Sequence, residues 1–420
     1  MDADGVTYRI CGRGKDKVFE LPVLPQTECR VGATVTSYCF ADGRGLSAEV
    51  DFTTPRMADD LEVFSRPVTY VTVRVSGAKE WSARVSITGA GATNDDKAQM
   101  AWATNVFYPQ FPHLLMSSLT LAKATLAPTC IYAASTNWPY AYAPHDLGLF
   151  PVAEGQYYGM KKGQAVGGGT DDTYRMPVEE CGNMLILLAA VAKAEGNADF
   201  AGRWWGEVTK WVEYLAKFGY DPGNQLCTDD FAGHLAHNAN LSVKSIIALA
   251  SYAEMAKMRG EEDSAKRYRA LAKEMVPEWI EAAKGGAHGG TRIAFDRPNT
   301  WSLKYNLVWD RVLDLGLFPL EVAEAELRAY HALERPYGVP LDCRKTYTKA
   351  DWLVWCGSMT GRREDLEFMC GGIHRFLAET PDRIPFSDWY LTDSRLHCGF
   401  IARSVVGGVF MPMLIVSKEK

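Results

Sequence analysis

No run of basic residues occurs anywhere in this 420-residue chain. Lys and Arg number 45 against 51 Asp and Glu, for a net charge of −6, which argues against nucleic acid as a partner. No apolar stretch reaches the roughly 20 residues that a membrane-spanning helix needs, so no membrane association is expected. The opening Met1-Asp-Ala-Asp-Gly5 has neither a basic region nor an apolar core, so no signal peptide is legible. As it stands, the chain reads as cytoplasmic. The patterns H-E-x-x-H, G-x-S-x-G and the P-loop are missing. Gly167-Gly-Gly-Thr170 does not follow a strand in a βαβ unit, so it is not a dinucleotide fingerprint. Hydride and phosphoryl chemistry therefore have nothing to stand on, and neither a cofactor nor a metal is expected. The ten cysteines include no C-x-x-C pair and no zinc-ligand spacing, which predicts buried, reduced thiols and a reducing compartment. Asn240-Leu-Ser242 fits a glycosylation acceptor, a match common by chance.

What is present is ample apolar material. At 47% hydrophobic residues the chain can bury a large core, and its length suits two domains. Residues 1–92 read as β structure. Val71, Val73 and Val75 alternate with polar residues, as do Ala83, Val85 and Ile87, and Ser76-Gly-Ala-Lys-Glu80 between them suits a hairpin. Further strands are expected over 18–23, 35–40 and 48–52, together forming a β-sandwich domain. The polar stretch Gly89-Ala-Gly-Ala-Thr-Asn-Asp-Asp-Lys97 marks a boundary, with a linker over 93–102. Beyond it the period becomes helical. Helices are expected near 113–126, 177–195, 199–218, 238–259, 261–284, 302–315, 319–334, 348–360, 362–379 and 398–416. Short links at Gly196-Asn197 and Gly260 alternate with long loops at 132–175, 219–237, 284–301, 335–347 and 380–397. That alternation predicts an α/α toroid over 103–420 whose long loops gather on one face.

The unusual side chains collect at helix starts and in those loops, where sites usually lie. Met176-Pro-Val-Glu-Glu-Cys-Gly-Asn183 sets Glu179 and Glu180 in the first turn of an apolar helix, with Pro177 at its first position. A favourable dipole contact is the plain reading of both carboxylates. Glu180 is the candidate acid or base because it shares a face with Asn183 and Leu187. Asn137-Trp-Pro-Tyr-Ala-Tyr-Ala-Pro-His-Asp-Leu-Gly148 offers Trp138, His145 and Asp146, although Asp146 could simply cap a turn. Cys227-Thr-Asp-Asp-Phe-Ala-Gly-His234 offers Asp229 or Asp230, with Asp230 preferred; His234 and His237 could assist, and loop hydrogen bonding is the alternative. Lys304, in Lys304-Tyr-Asn-Leu-Val-Trp-Asp310, could pair with a carboxylate or bind one on a substrate, or be solvated. Arg344 is the anion anchor, since a guanidinium grips carboxylate through parallel hydrogen bonds. Thr348 is expected to cap the next helix, with Asp351 completing a capping box and Trp352 following. Asp388 lies between Phe386, Trp389 and Tyr390, company that would raise its pKa and make it a candidate acid, unless it is a turn residue. Trp138, Trp352 and Trp389 are the expected walls of the pocket.

These motifs resemble the glutaminase A family of fungi and bacteria. They stand in order at 144–148, 155–156 with 176–180, 228–235, 304–310, 337–342 and 385–390, and Arg66-Pro-Val-Thr-Tyr70 in the front domain is also similar. The resemblance implies a β-sandwich followed by a six-hairpin α toroid like that of many glycosidases. It also implies hydrolysis of L-glutamine to glutamate and ammonia, usually by secreted enzymes. The chain departs from the family in lacking a leader and in having only 93–102 where a longer segment with helices is expected. Ten helices instead of twelve would fit a lost hairpin, an incomplete toroid and an apolar groove beside the helix at 113–126 or 398–416. Asn105 also stands where an Asp is expected. Three readings follow. Carboxylates at a toroid mouth could hydrolyse glutamine's side-chain amide, with Glu180 or Asp230 as base and Arg344 on the amino-acid carboxylate. The same carboxylates could cleave a glycoside. The chain could also be a degenerate, non-catalytic relative. The expected partner is a small molecule, glutamine or a saccharide.

Overall fold

The computed structural model describes residues 1–10, 21–32, 34–54, 70–84, 103–148, 155–157, 175–228, 232–382, 386–399 and 403–418. Asp229, Asp230, the segment 66–69 and the expected linker at 93–102 lie outside them, as does the side chain of Asn105.

Two antiparallel sheets form the N-terminal part. One has the order β3 (Gln26–Val31), β4 (Val35–Ala41), β5 (Ser47–Thr53), β6 (Tyr70–Ser76); the other pairs β1 (Asp2–Ala3) with β2 (Val6–Thr7) and β7 (Trp81–Ser82). Alternation works as expected within the larger sheet: Ala48, Val50 and Phe52 face Val75, Val73 and Val71 across the ladder. With Ile10, Leu24 and Phe40 these residues make the sandwich core. Among the described residues the expected hairpin of 71–75 with 83–87 is not formed, and 85–87 lie outside them. β6 pairs with β5, while β7 crosses to the other sheet and pairs with β1. A short polar turn permits a hairpin but does not oblige one when a better apolar partner is available. Strand β3, not foreseen, carries Gln26, whose Nε2 donates to the carbonyls of Leu377 and Ala378 at 3.0 Å each, tying the sandwich to the toroid.

Twelve α-helices lie among the described residues: α1 (Thr104–Ser117), α2 (Leu119–Ala133), α3 (Pro177–Glu195), α4 (Asp199–Gly202), α5 (Trp205–Phe218), α6 (Ala239–Met258), α7 (Glu262–Ala283), α8 (Val308–Leu313), α9 (Leu320–Leu333), α10 (Ala350–Gly357), α11 (Arg363–Glu379) and α12 (Met411–Lys418). The helix expected at 113–126 is really two. Ser118 is extended at φ −162° and its hydroxyl accepts from Leu121 N, ending α1 and capping α2. Of the expected helix 398–416, residues 400–402 lie outside the described ones, and Ser404–Phe410 is a 3₁₀ segment leading into α12.

Six elements form a closed inner ring. α1 packs on α3, α3 on α6, α6 on the 3₁₀ turn Tyr305–Leu307 that opens α8, that turn on α10, α10 on Ser404–Phe410, and Ser404–Phe410 back on α1. Closure depends on a glycine. A Cβ on Gly408 would lie 2.7 Å from the Pro109 carbonyl and 2.8 Å from Asp351 Cβ. The inner ring is therefore closed, although the described residues supply five outer helices for its six elements. α2, α5, α7, α9 and α11 form the outer layer. Beside α1, Met413 and Val416 of α12 present apolar side chains to solvent at 52% and 53% exposure.

The hub of the ring is aromatic. Tyr305 stacks on Trp352 at 3.9 Å and 5°, and Trp355 meets Trp352 edge-on at 4.8 Å. α3 is buried on every side from Pro177 to Ala192, and α6 nearly so from Ala239 to Ala256. That explains why both sequences are apolar all round instead of amphipathic. Cys130, Cys181 and Cys356 are buried thiols as expected, whereas Cys343 is exposed.

Candidate active site at the helix N-termini

The first turns of the inner helices carry buried polar side chains, and hydrogen bonds and ring contacts link those of α1, α3, α6 and the Tyr305–Leu307 turn. Thr104 opens α1, and its hydroxyl bonds Glu180 Oε2 in the first turn of α3. Thr104 N donates to the His145 carbonyl at 2.8 Å. Glu179, the neighbouring carboxylate, receives Thr228 Oγ1 and the Lys244 ammonium from within α6. Lys244 Nζ also donates to Asn183 Oδ1 at 2.7 Å and lies 3.8 Å over the Tyr108 ring. Tyr108 OH donates to Asn306 Oδ1 at 2.7 Å, and Asn306 Nδ2 to the Asn240 carbonyl at 3.0 Å. Helix N-termini carry partial positive charge, so this face suits anionic and carbonyl-bearing groups.

Glu180 stands out. It is fully buried, and Oε2 takes Thr104 and Asn183 Nδ2, the latter at 3.2 Å. Its Oε1 has no hydrogen-bond partner among the described residues. Burial pushes its carboxyl up to about 7, reinforced by the charge of Glu179 and opposed by His145, Thr104 and Asn183.

Asp146 shares this corner. Its Oδ2 meets His145 Nδ1 at 2.8 Å, while Oδ1 accepts from Gly148 N and Tyr157 N at 2.8 Å each. It thus caps a turn and orients a histidine together. Trp138 donates to the Tyr142 carbonyl at 2.6 Å and is buried among Tyr132, Tyr140 and Tyr142. Trp352 is wholly buried in the hub. Both are packing residues and not open walls, since their faces are taken by other rings. Trp389 is half-buried, edge-on to Tyr347 at 5.5 Å.

Asp388 forms a second cluster. β8 (Tyr347–Lys349) pairs with β9 (Trp389–Leu391), and Ala350 N donates to the Asp388 carbonyl at 2.7 Å. Lys349 Nζ donates to Asp388 Oδ2 at 2.7 Å, and Arg403, just before Ser404, also binds that carboxylate. Burial alone would raise this carboxyl, but the Lys349 and Arg403 charges hold it down at about 2. The expectation of a raised pKa is therefore wrong: the charges of Lys349 and Arg403 outweigh the apolar neighbours. The capping box also fails. Thr348 belongs to β8, and α10 begins after Lys349 with no side-chain cap.

Lys304 precedes its helix instead of lying on it. Its buried Nζ donates to Ser302 Oγ at 2.8 Å and the Ser302 carbonyl at 3.1 Å, and burial pushes its pKa down. Its Coulombic neighbours include Glu326 of outer helix α9, so it is neither solvated nor paired with a site carboxylate. Arg344 is engaged by Asp342, with Nε 3.1 Å from both carboxylate oxygens and one Nη 2.6 Å from Oδ2. Its other Nη donates to the Ala232 carbonyl at 3.0 Å. Arg344 is thereby tied to Ala232, and its charge is offset before any substrate arrives.

Residues 93–413 match the glutaminase A six helical-hairpin domain. The chain belongs to that family. It is 33% identical to "Glutaminase A" of Aspergillus oryzae, with 74% of this chain and 44% of that protein covered. It is 27% identical to "Probable glutaminase" of Arthroderma benhamiae, with 73% and 44% covered. The chain thus spans less than half the length of these curated relatives. Among solved structures, a rhamnosidase from Klebsiella oxytoca with rhamnose bound matches at TM-score 0.47 and 12% identity, over 75% of this chain and 58% of that one. A GH76 α-mannanase from Bacteroides thetaiotaomicron matches at 0.41 and 11%, over 76% and 87%.

Family membership accounts for the motif order. The motifs do not single out Thr104, Lys244, Lys349 or Arg403, which complete the Glu179–Glu180 and Asp388 clusters. Lys244 had a signal: it is the lone charge between Leu241 and Ala253 in an otherwise apolar helix. The others are common residue types whose partners are distant in sequence.

Proposed function

We propose that this face is the active site of a hydrolase that cleaves the side-chain amide of L-glutamine. Family membership and the names of the two curated relatives support the substrate. One observation carries the mechanism: Glu180 is buried, held through one oxygen, with the other oxygen unengaged among the described residues and its carboxyl poised near neutrality.

Amide hydrolysis needs a base to take a proton from water as it attacks the carbonyl carbon. It then needs an acid to protonate the departing nitrogen. A carboxyl poised near 7 can perform both transfers near neutral pH. In this reading Glu180 is the acid–base residue, and Asp230, two residues before Ala232 in sequence, is the second carboxylate. Asp388 positions Lys349 and Arg403, whose charges with the helix N-termini favour the substrate carboxylate and the developing oxyanion. Asp146 fixes the His145 ring. Arg344 acts on the loop, not on substrate directly, because Asp342 and Ala232 already hold its guanidinium.

The test is ammonia release from glutamine beside a panel of aryl glycosides. Glu180→Gln should lower kcat for ammonia release by about 10²-fold or more, the typical scale for a lost acid–base group. Asp230→Asn should also impair it. Turnover that survives both changes would remove this mechanism, and glycoside cleavage without ammonia release would replace the substrate. The stacking argument for sugars is weakened already, because Trp138 and Trp352 are interior.

A further inference from the structure

The role of Lys244 extends beyond neutralising Glu179. We propose that Lys244 is a positioning residue that acts through Asn183 to make Oε1 the reacting oxygen of Glu180, an inference that rests on Glu180 being the acid–base group.

The argument is one of donors and acceptors. A lysine ammonium only donates. Lys244 Nζ lies 2.7 Å from one terminal atom of Asn183, so that atom must be the amide oxygen. The amide nitrogen then faces Glu180 and donates to Oε2 at 3.2 Å. An N–H donor favours a carbonyl or carboxylate oxygen over a hydroxyl oxygen. The exchangeable proton is thereby directed to Oε1. That is the atom with no partner among the described residues. Without Lys244, the Asn183 amide could turn over and present its oxygen to Oε2, and the proton would settle on the wrong side.

The packing around Lys244 supports a dedicated position. Its stem lies along α3 only because residue 182 is glycine: a Cβ there would come 2.7 Å from Lys244 Cγ and 2.8 Å from Cδ. Its head is held by the Glu179 carboxylate and the Tyr108 ring. The polar groups facing Glu180 are Thr104 from α1, His145 from the preceding loop, and Glu179 and Asn183 from α3. Lys244 from α6 acts one bond removed.

The experiment uses the full chain and measures kcat, KM and the acidic limb of the pH profile for ammonia release. Asn183→Leu should lower kcat at least about tenfold with KM little changed, and move the limb to higher pH, because a donor to the charged form is lost. Glu179→Gln combined with Lys244→Met, which removes the pair together, should also lower kcat. Its limb should lie at higher pH than that of Glu179→Gln alone, which already lacks the Glu179 charge that raises Glu180, because the Asn183 donor is lost as well. A purely structural role predicts loss of stability with an unmoved limb. The inference is overturned if Glu180→Gln abolishes turnover while both variants keep kcat and the limb in place. If Glu180→Gln remains active, the functional reading itself fails. Should the double variant not fold, Asn183→Leu decides alone.

Discussion

At the scale of single residues, the site stores strain in the form of charge. Glu180 in the folded chain holds its proton up to about 7 against 4.5 ordinarily. The native state therefore binds more protons than the unfolded state between those values, and stability falls as pH rises from 4.5 to 7. The full penalty, about 3 kcal/mol, is in force above pH 7. Glu180→Gln should thus be more stable than the parent at pH 8 and little different at pH 4, as urea unfolding at the two pH values will show. A variant less stable at pH 8 would count against the buried carboxylate. Asp388 behaves oppositely. Its carboxyl is held near 2 by Lys349 and Arg403, so its stabilising contribution is present above pH 3.8 and lost as pH falls toward 2. Asp388→Asn takes the shared carboxylate from buried Lys349, which keeps Asp351 at 3.4 Å, and from partly buried Arg403, and should cost about 3 kcal/mol at pH 7 in the same assay.

At the scale of elements, the helices were legible because apolar period and glycine stops are local. The ten expected helices all have counterparts, and the start of α3 at Pro177 was read to the residue. What was not legible depended on distant partners. β6 found β5 instead of its sequence neighbour, and Ser118 split one expected helix by capping the next. Trp352 looked like a pocket wall but met Tyr305 across the hub. Asp388 looked apolar in sequence because Lys349 and Arg403 reach it from 39 and 15 residues away. Glycines set two of the close approaches. Gly182→Ala should raise intrinsic helix propensity by about 1 kcal/mol yet displace the Lys244 stem. The expected result is nearly unchanged stability with reduced kcat. In Gly408→Ala the new methyl meets the Pro109 carbonyl, which is backbone and cannot rotate away, so a loss of about 1–3 kcal/mol is expected.

At the scale of the whole molecule, the question is whether a chain spanning 44% of its curated relatives' length works alone. Of the grounds for the degenerate reading, the segment 93–102 and the Asn105 side chain lie outside the described residues, while the inner ring is closed: Ser404–Phe410 joins α10 to α1, with Trp355 Nε1 donating to the Gly408 carbonyl at 3.0 Å. A closed ring buries the hub that links the polar N-termini, so site and core should melt together. The outer surface near α12 is less complete, since Met413 and Val416 expose apolar area that at roughly 25 cal/mol per Å² favours covering. The closed ring predicts one cooperative thermal transition for the toroid, and the proposed glutaminase function predicts that glutamine shifts it upward, because ligand binds only the folded ring. Replacing Met413 and Val416 with Lys should improve solubility without moving that glutamine-dependent shift, because neither side chain reaches the N-terminal face. Differential scanning calorimetry with and without glutamine checks both statements. A broad, non-cooperative melt that glutamine leaves untouched would return the chain to the non-catalytic reading.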